Sequence, residues 1–168
     1  MRYYPAALAL SLVLATTGSM GQAKVTDPID PRAGELLSSG RSALARGDVT
    51  LATDDFESAL VVDPGYTGTL VALGDAARKA GLQGKAIHYY RVALERDPTD
   101  LAAIGGEGSA MAEKGALEKA RANLTRLEGL CGKGCAESRM LAEAIAKGPA
   151  PKVVSAEAVK PQPVVEAN

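Results

Sequence analysis

The sequence predicts an all-α fold: a solenoid of about three helix–turn–helix repeats, closed by a C-terminal capping helix. Two observations predict it. The pattern A-L-x-x-D-P stands at residues 59–64 and returns at residues 93–98, 34 residues later. Small and large residues recur at the same interval, and a fixed period between about 20 and 50 residues is typical of stacked repeats. The recurring positions, taken as the repeat core together with Leu73, are Gly40, Gly74 and Gly108; Ala52, Ala86 and Ala120; Phe56, Tyr90 and Leu124; Ala59 and Ala93; and Pro64 and Pro98.

Composition limits the partners that this fold would serve. The chain has 168 residues, which is room for one modest domain with extensions. Its net charge is −1 with both signs well mixed, so it lacks the basic face that nucleic-acid binding needs. The same balance argues against an electrostatic membrane anchor.

The first 23 residues have the three zones of a secretory signal peptide. Arg2 is followed by the apolar run at residues 6–15, then by small residues that end at Ala23. The run is too short to span a bilayer as a stable helix. We therefore expect an exported protein, periplasmic or secreted, with a linker at residues 24–31 and no stable membrane anchor after cleavage.

The repeat domain is expected at residues 32–147. Asp30 and Pro31 are suited to cap and begin its first helix. In the second unit, Leu70, Leu73 and Ala77 share one helical face, and Gly81 follows where a left-handed residue is wanted. "GGEGS" at residues 105–109 falls inside the first helix of unit three, and glycine there costs about 1 kcal/mol per residue against Ala, so this helix is expected to be the weakest.

A cap helix is expected from Ala136 to about Ala146. Its apolar stripe comprises Met140, Leu141, Ala144 and Ile145. Terminal repeats of a stack need such a cover. Residues 148–168 carry four prolines and are expected to form a tail outside the fold; its two Val-Val pairs suit either a solvated tail or a strand added to a partner's sheet.

These units resemble the tetratricopeptide repeat (TPR) family, whose 34-residue unit carries small and large residues in this order. Residues 67–100 match best, and the resemblance covers about two thirds of the chain. Ser39 and Glu107 depart from it, standing where the family usually has Leu, so units one and three are expected to pack loosely there. The resemblance implies a right-handed superhelix whose first helices line a concave groove for a peptide or partner helix. By register, the groove residues are Leu37, Arg41, Leu44, Val71, Asp75, Arg78, Lys79, Ser109, Ala112 and Glu113. One subgroup of the family binds a C-terminal carboxylate through paired Lys and Asn residues, and this set is lacking here.

Cys131 and Cys135 are the only cysteines, spaced C-x3-C. In an exported protein they favour a disulfide that fixes the cap helix. A redox centre is the alternative, but such centres usually show C-x2-C at a helix start. A zinc site needs four ligands, and the only His is distant in sequence.

No catalytic constellation is found, and no cofactor or metal is expected. His88 has no nucleophile and acid that the sequence would place beside it, so a surface position is expected. "GLQGKA" at residues 81–86 lacks the hydroxyl residue and the preceding strand of a phosphate loop.

The sequence therefore predicts a non-catalytic protein–protein interaction adaptor of the bacterial cell envelope. Its partner would be another protein, held in the concave groove. A self-associating structural repeat protein and a thiol-redox protein that uses Cys131 and Cys135 remain alternatives.

Overall fold

The computed structural model describes residues 28–149, and seven helices form within that range. They are α1 (Pro31–Arg46), α2 (Val49–Val62), α3 (Thr67–Lys79), α4 (Gln83–Arg96), α5 (Leu101–Glu113), α6 (Leu117–Cys131) and α7 (Ala136–Lys147). No strand occurs among these residues, so the predicted all-α class is confirmed. The predicted signal peptide, residues 24–27 of the linker and residues 150–168 of the tail lie outside the described residues.

The helices pack as three successive pairs, each of which contacts the next, and α7 covers the end of the stack against α5 and α6. Close contact within a pair depends on a glycine facing an aromatic ring. A Cβ atom added to Gly40 would lie 2.4 Å from the Phe56 ring, and one on Gly74 would lie 2.6 Å from the Tyr90 ring. Both rings are fully buried. The 34-residue repeat of glycine and aromatic residue thus encodes the contact between the two helices of a pair.

Helix α5 is better packed than its glycines suggest. Each residue from Ala103 to Ala112 is buried. A Cβ atom on Gly106 would lie 2.4 Å from Tyr90, and one on Gly108 would lie 2.7 Å from Leu141. These two glycines allow α5 to approach its neighbours closely, so the expectation that α5 would be the weakest helix overlooked what they gain in packing.

The loose packing expected at Glu107 is not found. Its side chain is only 9% exposed. One carboxylate oxygen accepts a hydrogen bond from Arg91 at 2.8 Å, and the other accepts one from Asn123 at 2.9 Å. Both oxygens of this buried carboxylate, which stands where the TPR family usually has Leu, are therefore hydrogen-bonded. Ser39, the matching position of unit one, is exposed.

The turns follow the expected chemistry. Asp30 caps α1 by accepting a hydrogen bond from the Arg32 amide at 2.8 Å, and Pro31 opens the helix. Gly81 has a φ of 75°, the left-handed conformation that the sequence predicted after α3.

Three predicted core positions need correction. Pro64 and Pro98 are exposed at turns, where their carbonyls accept hydrogen bonds from Arg96 and Arg126. Leu124 is only half-buried, whereas Leu127, one turn further on, is fully buried. The remaining positions of the predicted repeat core are buried.

Helix α7 is buried along a narrower stripe than predicted. Leu141 is fully buried, but Met140 is 59% exposed. The two side chains point about 100° apart on the helix, so Met140 lies beside the interface instead of in it. Among the described helices, none combines the length and the apolarity that crossing a bilayer requires.

Candidate functional site

A cleft of about 620 Å³ opens where α1, α3 and α5 end side by side. Its lining is mostly charged: Arg41, Leu44, Ala45, Asp75, Arg78, Lys79 and Glu113. Helices α1, α3 and α5 are the first members of the three pairs, so their C-terminal turns recur in register. The repeat therefore brings side chains from three distant segments onto one face.

An ion pair fixes the centre of this cleft. The Arg78 guanidinium donates to Glu113 at 2.6 Å and 3.4 Å, and this contact links α3 to α5. Gln83 donates to the same carboxylate at 3.4 Å. Burial is the largest single influence on the pKa of Arg78 and acts to lower it, but the hydrogen bond to Glu113, the interactions with Tyr90 and the charge of Glu113 together outweigh burial and leave that pKa above its usual value. Arg78 is thus a fixed cation whose orientation is set by its partner.

A second contact connects the cleft to the core. The Tyr90 hydroxyl donates to Asp75 at 2.6 Å, so a ring buried between the helix pairs reaches the cleft with its polar end. Partial burial raises the pKa of Asp75 above its usual value, although the Tyr90 hydrogen bond and the charge of Arg78 oppose the rise. Burial, followed by the charge of Asp75, also raises the pKa of Tyr90. Tyr90 therefore stays protonated and holds the Asp75 side chain in place.

Two cations of the cleft are left available. Arg41 and Lys79 are exposed, and neither forms an ion pair with another residue in the range 28–149. Arg41 contributes only a longer-range attraction to Asp75. An incoming carboxylate would meet these two side chains without having to break an existing ion pair.

A smaller pocket of about 320 Å³ adjoins the cleft and shares Asp75 and Arg78 with it. It lies between α3, α5 and α7. Its other lining residues are mostly apolar or small: Val71, Ala102, Gly105, Gly106, Ser109, Glu137, Met140 and Ala144. Two adjacent glycines, Gly105 and Gly106, form part of its wall, and both are buried. The pocket can take one or two apolar side chains.

Most of the groove residues predicted by register lie in one of these two cavities. Arg41, Leu44, Lys79 and Glu113 line the cleft, Val71 and Ser109 line the pocket, and Asp75 and Arg78 line both. Ser109 is buried and donates to the Gly105 carbonyl at 2.8 Å. How a ligand uses these residues remains a prediction.

Leu37 and Ala112 do not belong to this surface. Leu37 is 2% exposed and Ala112 is fully buried. Leu37 shares a helical face with the buried Ala33 and Gly40, and Ala112 shares one with Gly108. Both side chains therefore point into the core.

The sequence interpretation missed the contribution of α7. Glu137, Met140 and Ala144 line the pocket, although α7 was assigned only a covering role. A register signal was present. Helix α5 begins at Leu101 and α7 begins at Ala136, 35 residues later. Met140 therefore occupies the position in α7 that Gly105 occupies in α5. Helix α7 thus acts as the first helix of a fourth unit, and the added residue lies in α6, which has 15 residues where α4 has 14.

Cys131 ends α6 and Cys135 caps the start of α7, and neither residue lines the cleft or the pocket. Their sulfur atoms are 2.11 Å apart, within bonding distance. The buried Ser138 hydroxyl donates to the Gly132 carbonyl at 2.9 Å and lies 2.9 Å from the Cys135 sulfur. Cys131, Cys135 and Glu137 bring side-chain atoms within 4.8 Å of one another, but two sulfur atoms that are bonded to each other carry no thiolate with which to bind zinc.

Neither cavity lining in the described part of the chain contains histidine or cysteine, and the hydroxyl of Ser109 in the pocket is buried and already donates to the Gly105 carbonyl. His88 is exposed on α4, where its ring lies 5.9 Å from that of Tyr89. The chemistry that these cavities offer is charge pairing, hydrogen bonding and apolar contact.

The fold is similar to that of solved TPR domains. The Sgt2 TPR domain from Aspergillus fumigatus is 23% identical at a TM-score of 0.62, over 83% of this chain and 90% of that one. The first TPR of Spaghetti (RPAP3), bound to the HSP90 peptide SRMEEVD, is 20% identical at 0.61, over 70% and 97%. The Yersinia enterocolitica type III secretion chaperone SycD, in complex with a peptide of the translocator YopD, is 20% identical at 0.60, over 70% and 95%. No family model and no curated protein matches the sequence. The likeness shows a TPR-like helical repeat solenoid.

Proposed function

We propose that this chain is a non-catalytic adaptor that binds an extended segment of a partner protein in the cleft and its adjoining pocket. The similar solved structures support this proposal, because one is a TPR domain bound to an HSP90 peptide and another is the chaperone SycD in complex with a peptide of YopD. The cleft crosses the ends of several helices, which suits an extended ligand better than a compact small molecule.

The observation that carries the proposal is the pair of available cations. Arg41 and Lys79 are exposed in a cleft whose other charges are already matched or fixed. An ion pair formed by an exposed cation contributes roughly 0.2–1 kcal/mol, and two such pairs in one cleft would add to each other. The preferred partner segment would therefore carry an acidic side chain at the cleft and an apolar side chain at the pocket.

We also propose that the adaptor works in an oxidising compartment, the bacterial envelope or the exterior. The signal-peptide pattern of residues 1–23 and the two cysteines support this setting. A disulfide between Cys131 and Cys135 would then fix the turn that positions α7, and with it one wall of the pocket.

The test compares capture of partners by three forms of the chain from residue 24 to 168. The cleft variant is Arg41→Glu with Lys79→Glu. The control variant is Lys133→Glu with Arg139→Glu, which changes the net charge equally at exposed positions outside both cavities. Circular dichroism would first establish that all three forms are folded.

Quantitative mass spectrometry of an envelope extract would then compare the retained proteins, and synthetic segments of any hit would be titrated by calorimetry. We expect a partner that the native and control forms retain and that the cleft variant loses by at least about tenfold, which corresponds to about 1.4 kcal/mol. Equal retention by all three forms would exclude the cleft as the binding surface. A molecular mass in solution that rises with protein concentration, and that is lower for the cleft variant, would instead favour self-association.

A further inference from the structure

The pocket between α3, α5 and α7 leaves apolar surface uncovered. Met140 is 59% exposed on α7, and Val71 is half-buried on the opposite wall. A thioether and a branched side chain facing an open cavity of about 320 Å³ form a surface that an apolar group would stabilise by excluding water.

The chain leaves the fold beside this surface. Helix α7 ends at Lys147, and Gly148 follows with a φ of 68°, which turns the backbone away from the helix direction. Pro149 then lies against the turn after α5, with its Cγ atom 3.8 Å from the position of a Cβ atom on Gly115. Glu113, two residues before Gly115, belongs to the lining of the cleft. The following residues therefore start near the C-terminal end of α5, close to Glu113 of the cleft, and about one helical turn beyond Ala144 of the pocket; Gly115 itself lines a third cavity of about 520 Å³.

The next apolar residues are within reach of the pocket. Met140 lies eight residues before Gly148, which is about 12 Å along the helix. Pro149 is already placed against the turn after α5, so four residues lead from it to Val153 and five to Val154. In extended conformation they span at most about 14 Å and about 17 Å, which is enough to return to the level of Met140. They are the first branched apolar residues after α7.

The charges that flank this Val-Val pair match those that flank the pocket. Lys152 precedes the pair, and on the α7 side of the pocket Glu137 forms no ion pair within residues 28–149. Glu157 follows three residues after Val154, a further reach of about 10 Å toward the Arg78 side of the pocket. A segment that runs from α7 across α5 toward α3 would therefore bring both pairs of opposite charges together.

We propose that residues 152–157 fold back along α7 and place Val153 and Val154 in the pocket, so that the chain occupies part of its own binding surface. The pocket accepts the apolar pair, Glu137 pairs with Lys152, and Glu157 approaches the cations of the cleft. One consequence rests on the proposed function: a partner segment would have to displace this intramolecular ligand before it fills the pocket.

NMR spectra of the backbone amides test the intramolecular contact on the chain from residue 24 to 168, with no partner present. The variant Val153→Ser with Val154→Ser is compared with Val164→Ser and Val165→Ser, a chemically identical change at the second Val-Val pair. Both changes lie outside residues 28–149, so neither alters a side chain of the described core. We expect the first variant to shift the amide signals of Gly105, Gly106 and Ser109, and the second to leave them in place.

A charge exchange adds a second readout. Glu137→Lys alone and Lys152→Glu alone are expected to produce the same shifts, and the double exchange is expected to reverse them. Pocket signals that stay fixed in the first variant would overturn the proposal, as would equal shifts from both Val-Val pairs. Shifts that depend on protein concentration would assign the segment to the pocket of a second copy and would also overturn it. Because no partner is present, none of these outcomes depends on the adaptor function.

Discussion

Replacing either of two adjacent glycines of α5, Gly105 or Gly106, with Ala should change the free energy of unfolding, but in opposite directions. Replacing a helical glycine with Ala gains about 1 kcal/mol in helix propensity. At Gly105 the added Cβ atom would meet its nearest neighbour, the Glu137 Cβ atom, at 3.5 Å, which is an ordinary contact. Gly105→Ala is therefore expected to stabilise the fold by about 0.5–1 kcal/mol.

At Gly106 the added Cβ atom would lie 2.4 Å from two carbons of the Tyr90 ring and 2.9 Å from its hydroxyl oxygen. The ring is fully buried and is held by Asp75, so it cannot move aside without losing that hydrogen bond. Overpacking costs about 1–3 kcal/mol, and the strained hydrogen bond adds to it. After the propensity gain is subtracted, Gly106→Ala is expected to destabilise the fold by about 2 kcal/mol.

Urea unfolding followed by circular dichroism at 222 nm measures both variants against the native chain. The dependence of the unfolding free energy on urea concentration should be the same in all three proteins. The urea midpoint of Gly105→Ala should lie above that of the native chain, and the midpoint of Gly106→Ala should lie below it. If Gly106→Ala is as stable as Gly105→Ala, the close approach of α5 to Tyr90 does not limit the fold. If Gly105→Ala destabilises instead, α5 and α7 are packed more tightly than the 3.5 Å contact indicates.

Three further substitutions test separate parts of the structure. Replacing Cys131 and Cys135 with Ser should cost about 2 kcal/mol under oxidising conditions and nothing in excess reductant, as measured by urea unfolding; equal losses in both conditions would argue against the disulfide. Thr69 is fully buried and its hydroxyl has no hydrogen-bond partner among the described residues, so Thr69→Val should raise stability by about 1 kcal/mol, and a loss would reveal a missed contact. Tyr90→Phe keeps the ring but removes the donor to Asp75, so it should cost about 1 kcal/mol and raise the pKa of Asp75 further in an NMR titration; an unchanged pKa would show that the hydrogen bond does not stabilise the carboxylate.

Much of the fold could be predicted from the sequence because its strongest contacts recur at one interval. Gly40 with Phe56 and Gly74 with Tyr90 are each sixteen residues apart, so the pattern within one unit predicts the pair packing. The glycines of α5 were misjudged because their contacts lie between units. Gly106 packs on Tyr90 of the preceding pair, and an intrinsic helix propensity contains no term for such a neighbour.

In the candidate site, too, positions within a unit could be predicted and contacts between units could not. Arg41, Asp75 and Arg78 could be placed near one another by register, because each lies on the first helix of a pair and near its end. The partners of these side chains could not be predicted. The Arg78–Glu113 ion pair joins two units, and its geometry depends on the curvature of the stack. Register alone therefore identified cations in the cleft but not which of them were already paired.

Tyr90 shows why the fold and the site cannot be considered separately. Its ring requires Gly74 within the pair and Gly106 in the next one, while its hydroxyl orients Asp75 in the cleft. The contact that sets the spacing of α3, α4 and α5 thus also fixes a charge at the binding surface. Loss of either glycine should disturb the cleft even though neither backbone is charged, because the disturbance passes through one rigid ring. The aromatic position of the second unit therefore carries two requirements, packing and charge placement, and of the two rings that fill this layer, Phe56 and Tyr90, only Tyr90 has a hydroxyl that can meet the second.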